Sequence, residues 1–318
     1  MSIVAEQVKA LTKAHTRIVW SQQQAECEDF YMQKPDFKLM GLDTEDGKGE
    51  REIMGKVASY ATPMFTPRGD RIVFTDNEQG TVNVVNFDGT GHEVLGPGYV
   101  MSAWRDPADG KEYVFVRPNN TKSWVSKSNP VVKHELDDFE ATETVWTKTS
   151  VSWNWFALSP DGTRVACSVP WPICGMASIP DGEFVEFDRG CWTSMAPDDS
   201  HRMWVFDGDH RHVKLFDEKG TKLHALDVHQ APGVKDWEIY HPRWSNNVRF
   251  FNVTGPYSKN SPEPCREEDR GNWIKFGGFN VELYLGKLDE ELKTVEEFVK
   301  ITDNEKADFM ADTWIAPA

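Results

Sequence analysis

One short phrase recurs along the chain and narrows the possible folds more than any other feature. It is Thr66-Pro67-Arg68-Gly69-Asp70 ahead of Arg71-Ile72-Val73-Phe74, and again Ser159-Pro160-Asp161-Gly162-Thr163 ahead of Arg164-Val165-Ala166-Cys167. Looser copies are Asp106-Pro107-Ala108-Asp109-Gly110, Ala196-Pro197-Asp198-Asp199-Ser200 and Trp244-Ser245-Asn246-Asn247, each followed by a β-rich run. Proline presets φ at the first central turn position, Asp or Asn bonds its own backbone, and Gly or Asn accepts positive φ. Each copy therefore reverses the chain between two strands.

A third strand follows each hairpin, as in Thr81–Phe87, Val131–Leu136, His212–Phe216 and Val281–Leu285, and a fourth follows that, as in His92–Leu95 or Lys222–Leu226. Four strands per repeat of about 40 to 50 residues describes a propeller blade, and two stacked sandwiches would not repeat the turn phrase at that interval. Units begin near Tyr60, Met101, Trp153, Cys191 and His241, which accounts for five. The sixth draws on both ends of the chain. Thr16–Trp20 has no turn phrase before it and Asp312–Ala316 has no hairpin partner after it, so the C-terminal segment is predicted to supply the innermost strand of the N-terminal blade. Such a closure pairs an edge that would otherwise stay open. The fold expected is all-β: a six-bladed β-propeller spanning 16–318, preceded by a short amphipathic helix within 1–15.

The phrase Ser159-Pro160-Asp161-Gly162 resembles the TolB-like, WD-related propeller repeats of bacterial proteins, over nearly the whole chain from Thr16 onward. Propellers of that kind serve as protein docking platforms, peptidase gates and polysaccharide-degrading enzymes, so the resemblance carries architecture further than function. Oligogalacturonate lyase and ulvan lyases are similar in kind. That similarity implies a central face using His, Arg and Tyr, with a metal in some cases.

Composition removes several classes. A formal charge of -16, from 51 acidic and 35 basic side chains, disfavours a nucleic acid partner, although a locally basic cleft can still take an acidic polymer. No apolar run approaches the roughly 18 residues of a membrane span, so a soluble chain without a membrane partner is expected. If Met1 is the native start the location is cytoplasmic; if a leader was removed it is periplasmic or secreted. Cys27, Cys167, Cys174, Cys191 and Cys265 form no zinc framework. Cys167 and Cys174 flank Val169-Pro170-Trp171-Pro172 and are candidates for a disulfide across a turn, against the alternative of buried free thiols.

Ligands of propellers commonly sit at the mouth of the channel, which directs attention to residues just before each turn phrase. These are Tyr60, Trp104, Trp153, Asn154, Trp192, Trp244 and Trp314 as candidate substrate-binding groups; several of the 13 tryptophans, such as Trp20 and Trp204, belong to the core instead. His210, Arg211, His241, Arg243 and Tyr257 form the candidate catalytic set. For β-elimination on a uronate, Arg211 or Arg243 would neutralise the carboxylate, His210 or His241 would remove the proton, and Tyr257 would protonate the leaving oxygen. Alternation also places His210 and His212 on one face as plain turn residues. A divalent metal, Mn, Zn or Ca, held by His210, His212 and His241 is a further reading, without a diagnostic motif. Asp207-Gly208-Asp209 reads as a hairpin turn, and Gly255–Gly278 as an insertion that either binds or merely loops out. The functional expectation is a carbohydrate-binding or carbohydrate-active propeller, in its sharpest form a uronate lyase. The alternative is a noncatalytic docking scaffold for a protein.

Overall fold

The computed structural model describes residues 2–25, 32–118, 130–152, 156–235, 237–257 and 281–317. Among them lie one helix, α1 (Ile3–Thr12), and six four-stranded antiparallel sheets. The first sheet combines β1 (Thr16–Gln23), β2 (Phe37–Asp43) and β3 (Arg51–Ala58) with the C-terminal strand β24 (Ala307–Ile315), in the order β24-β1-β2-β3. The second runs β4 (Tyr60–Phe65), β5 (Arg71–Asp76), β6 (Thr81–Asn86) and β7 (Glu93–Pro97). The third is β8 (Tyr99–Arg105), β9 (Glu112–Arg117), β10 (Val131–Glu135) and β11 (Asp138–Trp146). The fourth is β12 (Phe156–Leu158), β13 (Arg164–Ser168), β14 (Ile173–Ser178) and β15 (Phe184–Arg189). The fifth is β16 (Cys191–Met195), β17 (Met203–Phe206), β18 (His212–Phe216) and β19 (Lys222–Asp227). The sixth is β20 (Glu238–Trp244), β21 (Phe250–Tyr257), β22 (Glu282–Leu288) and β23 (Val295–Lys300).

The innermost strands touch in a closed cycle: β24 meets β4, then β8, β12, β16 and β20 follow, and β20 returns to β24. This is a six-bladed β-propeller. Its ring closes as the sequence predicts, with Arg17, Ile18 and Val19 of β1 opposite Trp314, Thr313 and Asp312 of β24.

The recurrent phrase forms the turn joining the two inner strands of a blade. At the best-preserved copy the Gly162 N–H donates to Ser159 O at 2.9 Å with φ +71, and the Thr163 N–H donates to Asp161 Oδ1 at 3.0 Å. Burial pushes the Asp161 carboxyl up, but the Ser159 hydroxyl and the donors on Thr163 outweigh it and hold it down at about 2. Tryptophans at the ends of inner strands fasten one blade's turn to the next. Trp104 Nε1 donates to Pro160 O at 2.9 Å and Trp314 Nε1 donates to Pro67 O at 3.1 Å. The indoles lie so close that a Cβ on Gly162 would come within 2.4 Å of Trp104, and one on Gly69 within 2.2 Å of Trp314.

Blades bury their apolar faces against one another; Trp204 of β17 stacks on Trp244 of β20 at 3.9 Å between ring centroids. Helix α1 starts at Ser2, whose hydroxyl accepts from the Ala5 N–H at 3.2 Å. Its buried Ala5, Val8 and Leu11 join Ile18, Trp20, Leu283 and Ile301 in a core shared by the first and last blades. The Cys167–Cys174 disulfide is not formed. Both thiols are free and buried, and Cys174 Sγ instead lies 3.1 Å from Ser168 Oγ. In the register of β13 against β14 Cys174 faces Ser168, while Cys167 faces Gly175. Of the expected insertion, Gly255 to Tyr257 continue β21, and the remainder to Gly278 lies outside the described residues.

Candidate functional site

An extra residue in one strand of an antiparallel pair breaks the alternation of side chains and re-aims them. The innermost strands carry this irregularity repeatedly. Thr62 and Pro63 of β4 together oppose Phe74, and Trp192 and Thr193 of β16 oppose Val205. His241 and Pro242 of β20 oppose Val253, and Met310 and Ala311 of β24 oppose Trp20. In β8 the shift falls at Met101. The leading residue of each pair is left-handed, with φ +49 at Thr62, +44 at Trp192, +51 at His241 and +52 at Met310. A side chain held there costs about 1–3 kcal/mol, which the packing of the ring has to offset.

These bulges frame a cavity on the axis, lined by Thr62 and Met64, Met101 and Ser102, Phe156 and Ala157, Trp192 to Ser194, His241 to Arg243, and Met310 with Ala311. All six innermost strands contribute. The cavity admits the centres of water molecules over about 80 Å³. At about 10–15 Å³ per water that is room for a handful of waters, or for one functional group of a larger ligand.

Arg243 brings positive charge to this space. Its Nε lies 3.3 Å from Asp312 Oδ1 and its Nη1 donates to Pro63 O at 3.2 Å, which fixes the plane of the guanidinium. The other oxygen of Asp312 accepts from the Phe65 N–H at 2.7 Å. Burial raises the Asp312 carboxyl above the usual range, against the opposing pull of Arg243 and of the Phe65 N–H. Hydroxyls of Thr62, Ser102, Thr193 and Ser194 share the lining.

His241 stands beside Arg243 and is 3% exposed. Burial, and then the neighbouring His210, hold its imidazole well below the ordinary histidine value, so it is neutral at pH 7. Its Nδ1 lies 3.1 Å from Thr254 Oγ1, and that hydroxyl lies 3.1 Å from Tyr240 O, an atom that can only accept. The Thr254 hydroxyl thus stands between the imidazole and a carbonyl and fixes the plane of the ring. Tyr257 Oη also meets Thr254 Oγ1, at 3.2 Å. Aromatic rings enclose the imidazole: Trp192 at 4.7 Å edge-on and Tyr240 at 4.5 Å.

The structure thus gathers His210, His241 and Tyr257 around Tyr240, with Arg243 next to them on the cavity. Tyr257 is 1% exposed and stands behind His241, not on the cavity lining. Arg211 lies apart, in the β17–β18 turn, where its N–H donates to Asp207 Oδ1 at 3.1 Å. Trp192 alone of the candidate substrate-binding residues lines the cavity. Tyr60 packs edge-on against Phe74 at 5.2 Å, where burial and then the charge of Asp76 push its hydroxyl up to about 12. Trp244 donates to Val248 O at 3.0 Å, and Trp104 and Trp314 clamp turns between blades, so these indoles are committed to packing. Trp153 and Asn154 lie outside the described residues.

The metal set His210, His212 and His241 is not assembled; among the described residues no three His, Cys, Asp or Glu side chains come together to hold an ion. The reason is local. His210 is left-handed, at φ +57, which breaks the expected alternation. Its ring stacks on Phe206 at 5.2 Å, while His212 turns to Asp207 at 3.1 Å. Sequence reasoning also missed Thr62, Ser102 and Thr254. The first two carried a usable signal. Thr66, Asp106, Ala196, Ser245 and Ala316 each donate an N–H to the carbonyl just before or at the start of the following strand, and Thr62, Ser102, Trp192, His241 and Asp312 stand four residues ahead of them. Four of those five line the cavity and the fifth holds Arg243.

Fold and cavity together define a six-bladed β-propeller with a small space on its axis. No family model matches the chain, and no curated protein does. Solved structures do. TolB from Acinetobacter baumannii superposes with a TM-score of 0.59 at 13% identity, over 96% of this chain and 69% of that one. A putative TolB from Agrobacterium tumefaciens gives 0.51 at 9% identity, over 96% and 99%. A protein of unknown function from Bacteroides caccae gives 0.53 at 11% identity, over 95% and 98%. At these identities the likeness is one of fold.

Proposed function

We propose that this propeller binds a carbohydrate bearing carboxylate groups, with one carboxylate entering the axial cavity. The observation that carries the reading is Arg243: two of its nitrogens are engaged by Asp312 and Pro63, and its side chain shares the cavity lining with the hydroxyls of Thr62, Ser102, Thr193 and Ser194 and with Trp192. A preoriented guanidinium suits a planar carboxylate, and an indole edge suits a sugar's C–H face. Trp171 and Trp237, 54% and 42% exposed, offer further stacking surface.

The sharper form of the proposal is β-elimination. Arg243 would neutralise the uronate carboxylate so that the neighbouring C–H becomes acidic, and neutral His241 would take that proton. As the C–C double bond forms the C–O bond breaks, and water would protonate the leaving oxygen. Tyr257 reaches His241 through Thr254, so its part would be to orient the imidazole, not to touch the leaving oxygen.

Titration with uronate oligosaccharides, followed by tryptophan fluorescence, tests the binding step. Saturable binding that Arg243→Ala weakens at least tenfold supports it, and neutral oligosaccharides binding equally well would overturn it. Appearance of the unsaturated product, lost in His241→Ala while binding persists, would establish the lyase. Failure of every uronate, together with recovery of one stoichiometric protein partner, would replace this reading with docking.

A further inference from the structure

Two histidines outside the cavity share an arrangement that the proposed function does not use. His212, at the start of β18, and Asp227, at the end of β19, are cross-strand partners, and His229 follows two residues later. The His212 Nδ1 pairs with Asp207 Oδ2 at 3.1 Å, and the His229 Nδ1 pairs with Asp227 Oδ1. Gln230 Nε2 donates to the other oxygen of Asp227 at 2.7 Å, and the Arg211 N–H donates to Asp207 Oδ1, so both carboxylates are themselves held in place. The Val228 N–H donates to Arg211 O at 2.9 Å, which ties the two segments together. The ring centroids are 6.1 Å apart.

A carboxylate on Nδ1 favours the Nδ1–H tautomer, which leaves the lone pair on Nε2. Both imidazoles are in this state, and neither Nε2 has a hydrogen-bond partner among the described residues. Two imidazoles sharing one metal at about 2.1 Å per bond have centroids roughly 5 to 6.5 Å apart. We propose that His212 and His229 bind one divalent transition ion through their Nε2 atoms, oriented by Asp207 and Asp227. Imidazole ligands select the zinc, copper and nickel group over calcium or magnesium. With two protein ligands, water fills the remaining positions, and these stay open to an oxygen donor. The site shares no residue with the cavity, so it stands independently of the carbohydrate reading.

Calorimetric titration of the intact protein with Zn2+ tests the site. One ion per chain is expected, with affinity lowered at least tenfold in His212→Ala and in His229→Ala, and unchanged in His224→Ala, whose ring is engaged with Leu292 O. Asp227→Asn keeps both imidazoles and is expected to weaken binding by about 10–100-fold. Ca2+ in place of Zn2+ should give no heat. Absence of Zn2+ binding, or equal affinity in the wild type and both alanine variants with native circular dichroism, would overturn the proposal.

Discussion

Asp308 is wholly buried in β24, where Trp20 Nε1 donates to it at 2.6 Å, Gln22 Nε2 at 3.0 Å and Asn304 Nδ2 at 2.9 Å. Burial, and after it the charge of Glu50, push its carboxyl up to about 7, with Glu282 adding to the effect. Glu50 and Glu282 are raised as well, each chiefly by burial. Lys300 Nζ lies 3.8 Å from Glu282 Oε1. In an unfolded chain an aspartate titrates near 4. Between about pH 4 and 7 the native state therefore holds a proton that the unfolded state has released, and stability falls as pH rises through that window. A three-unit shift sets a ceiling of about 4 kcal/mol. Asp161 and Asp43 act oppositely, since their lowered values stabilise the fold above about pH 4 and that share is lost below it. Buried His241 likewise opposes Asp308 below about pH 6.5, where the unfolded imidazole takes up a proton, so the Asp308 share is read as the difference in melting temperature between wild type and Asp308→Asn. That difference is expected to move in favour of Asp308→Asn from pH 5 to pH 8, because the variant has no charge to bury. A difference between the two proteins that stays constant from pH 5 to 8 would refute the assignment.

At the scale of elements, the turns were legible because their chemistry is local: Pro, Asp and Gly at fixed offsets serve the same backbone need in every blade. The bulges were not. Thr62, Trp192, His241 and Met310 adopt left-handed backbone without the glycine that usually announces it, and their positions depend on the neighbouring blade. His210 likewise escaped period-two reasoning, because it is left-handed in the β17–β18 turn and so does not share a face with His212. Trp104 and Trp314 were read as ligand groups because they stand near the inner strands' ends; what they bind is the next blade's turn. That clamp predicts a contrast between glycines. Gly47→Ala meets open space at φ +73 and should cost only the backbone term, about 1–2 kcal/mol. Gly69→Ala meets Trp314 as well, and Gly162→Ala meets Trp104, so each should cost more than Gly47→Ala in urea unfolding. Equal losses at all three would remove the clamp from the account.

For the whole molecule, closure through β24 was legible from two unmatched ends, Thr16–Trp20 and Asp312–Ala316, because a propeller repeat leaves no strand without a partner. Removing 307–318 would strip Asp308 from Trp20, Asp312 from Arg243 and Trp314 from the second blade, and would open an edge at β1. Loss of near-ultraviolet dichroism and aggregation in gel filtration are the expected results; a monomeric product with unchanged melting would contradict the closure energetics. The ring also explains why the site was only partly readable. Its lining comes from six strands spread between Thr62 and Ala311, each contributing two or three residues, and no contiguous motif records which of them meet. Arg243 and His241 were found because two unusual residues share one strand, whereas Thr62 and Ser102 look like ordinary strand residues until the ring is closed. The central claim is that this ring presents Arg243 to a carboxylate on its axis. A crystal structure of the protein with a bound uronate oligosaccharide measures that directly. The account predicts a sugar carboxylate within hydrogen-bonding distance of Arg243 Nη2 inside the cavity, and a sugar bound elsewhere with Arg243 still turned only to Asp312 and Pro63 would contradict it.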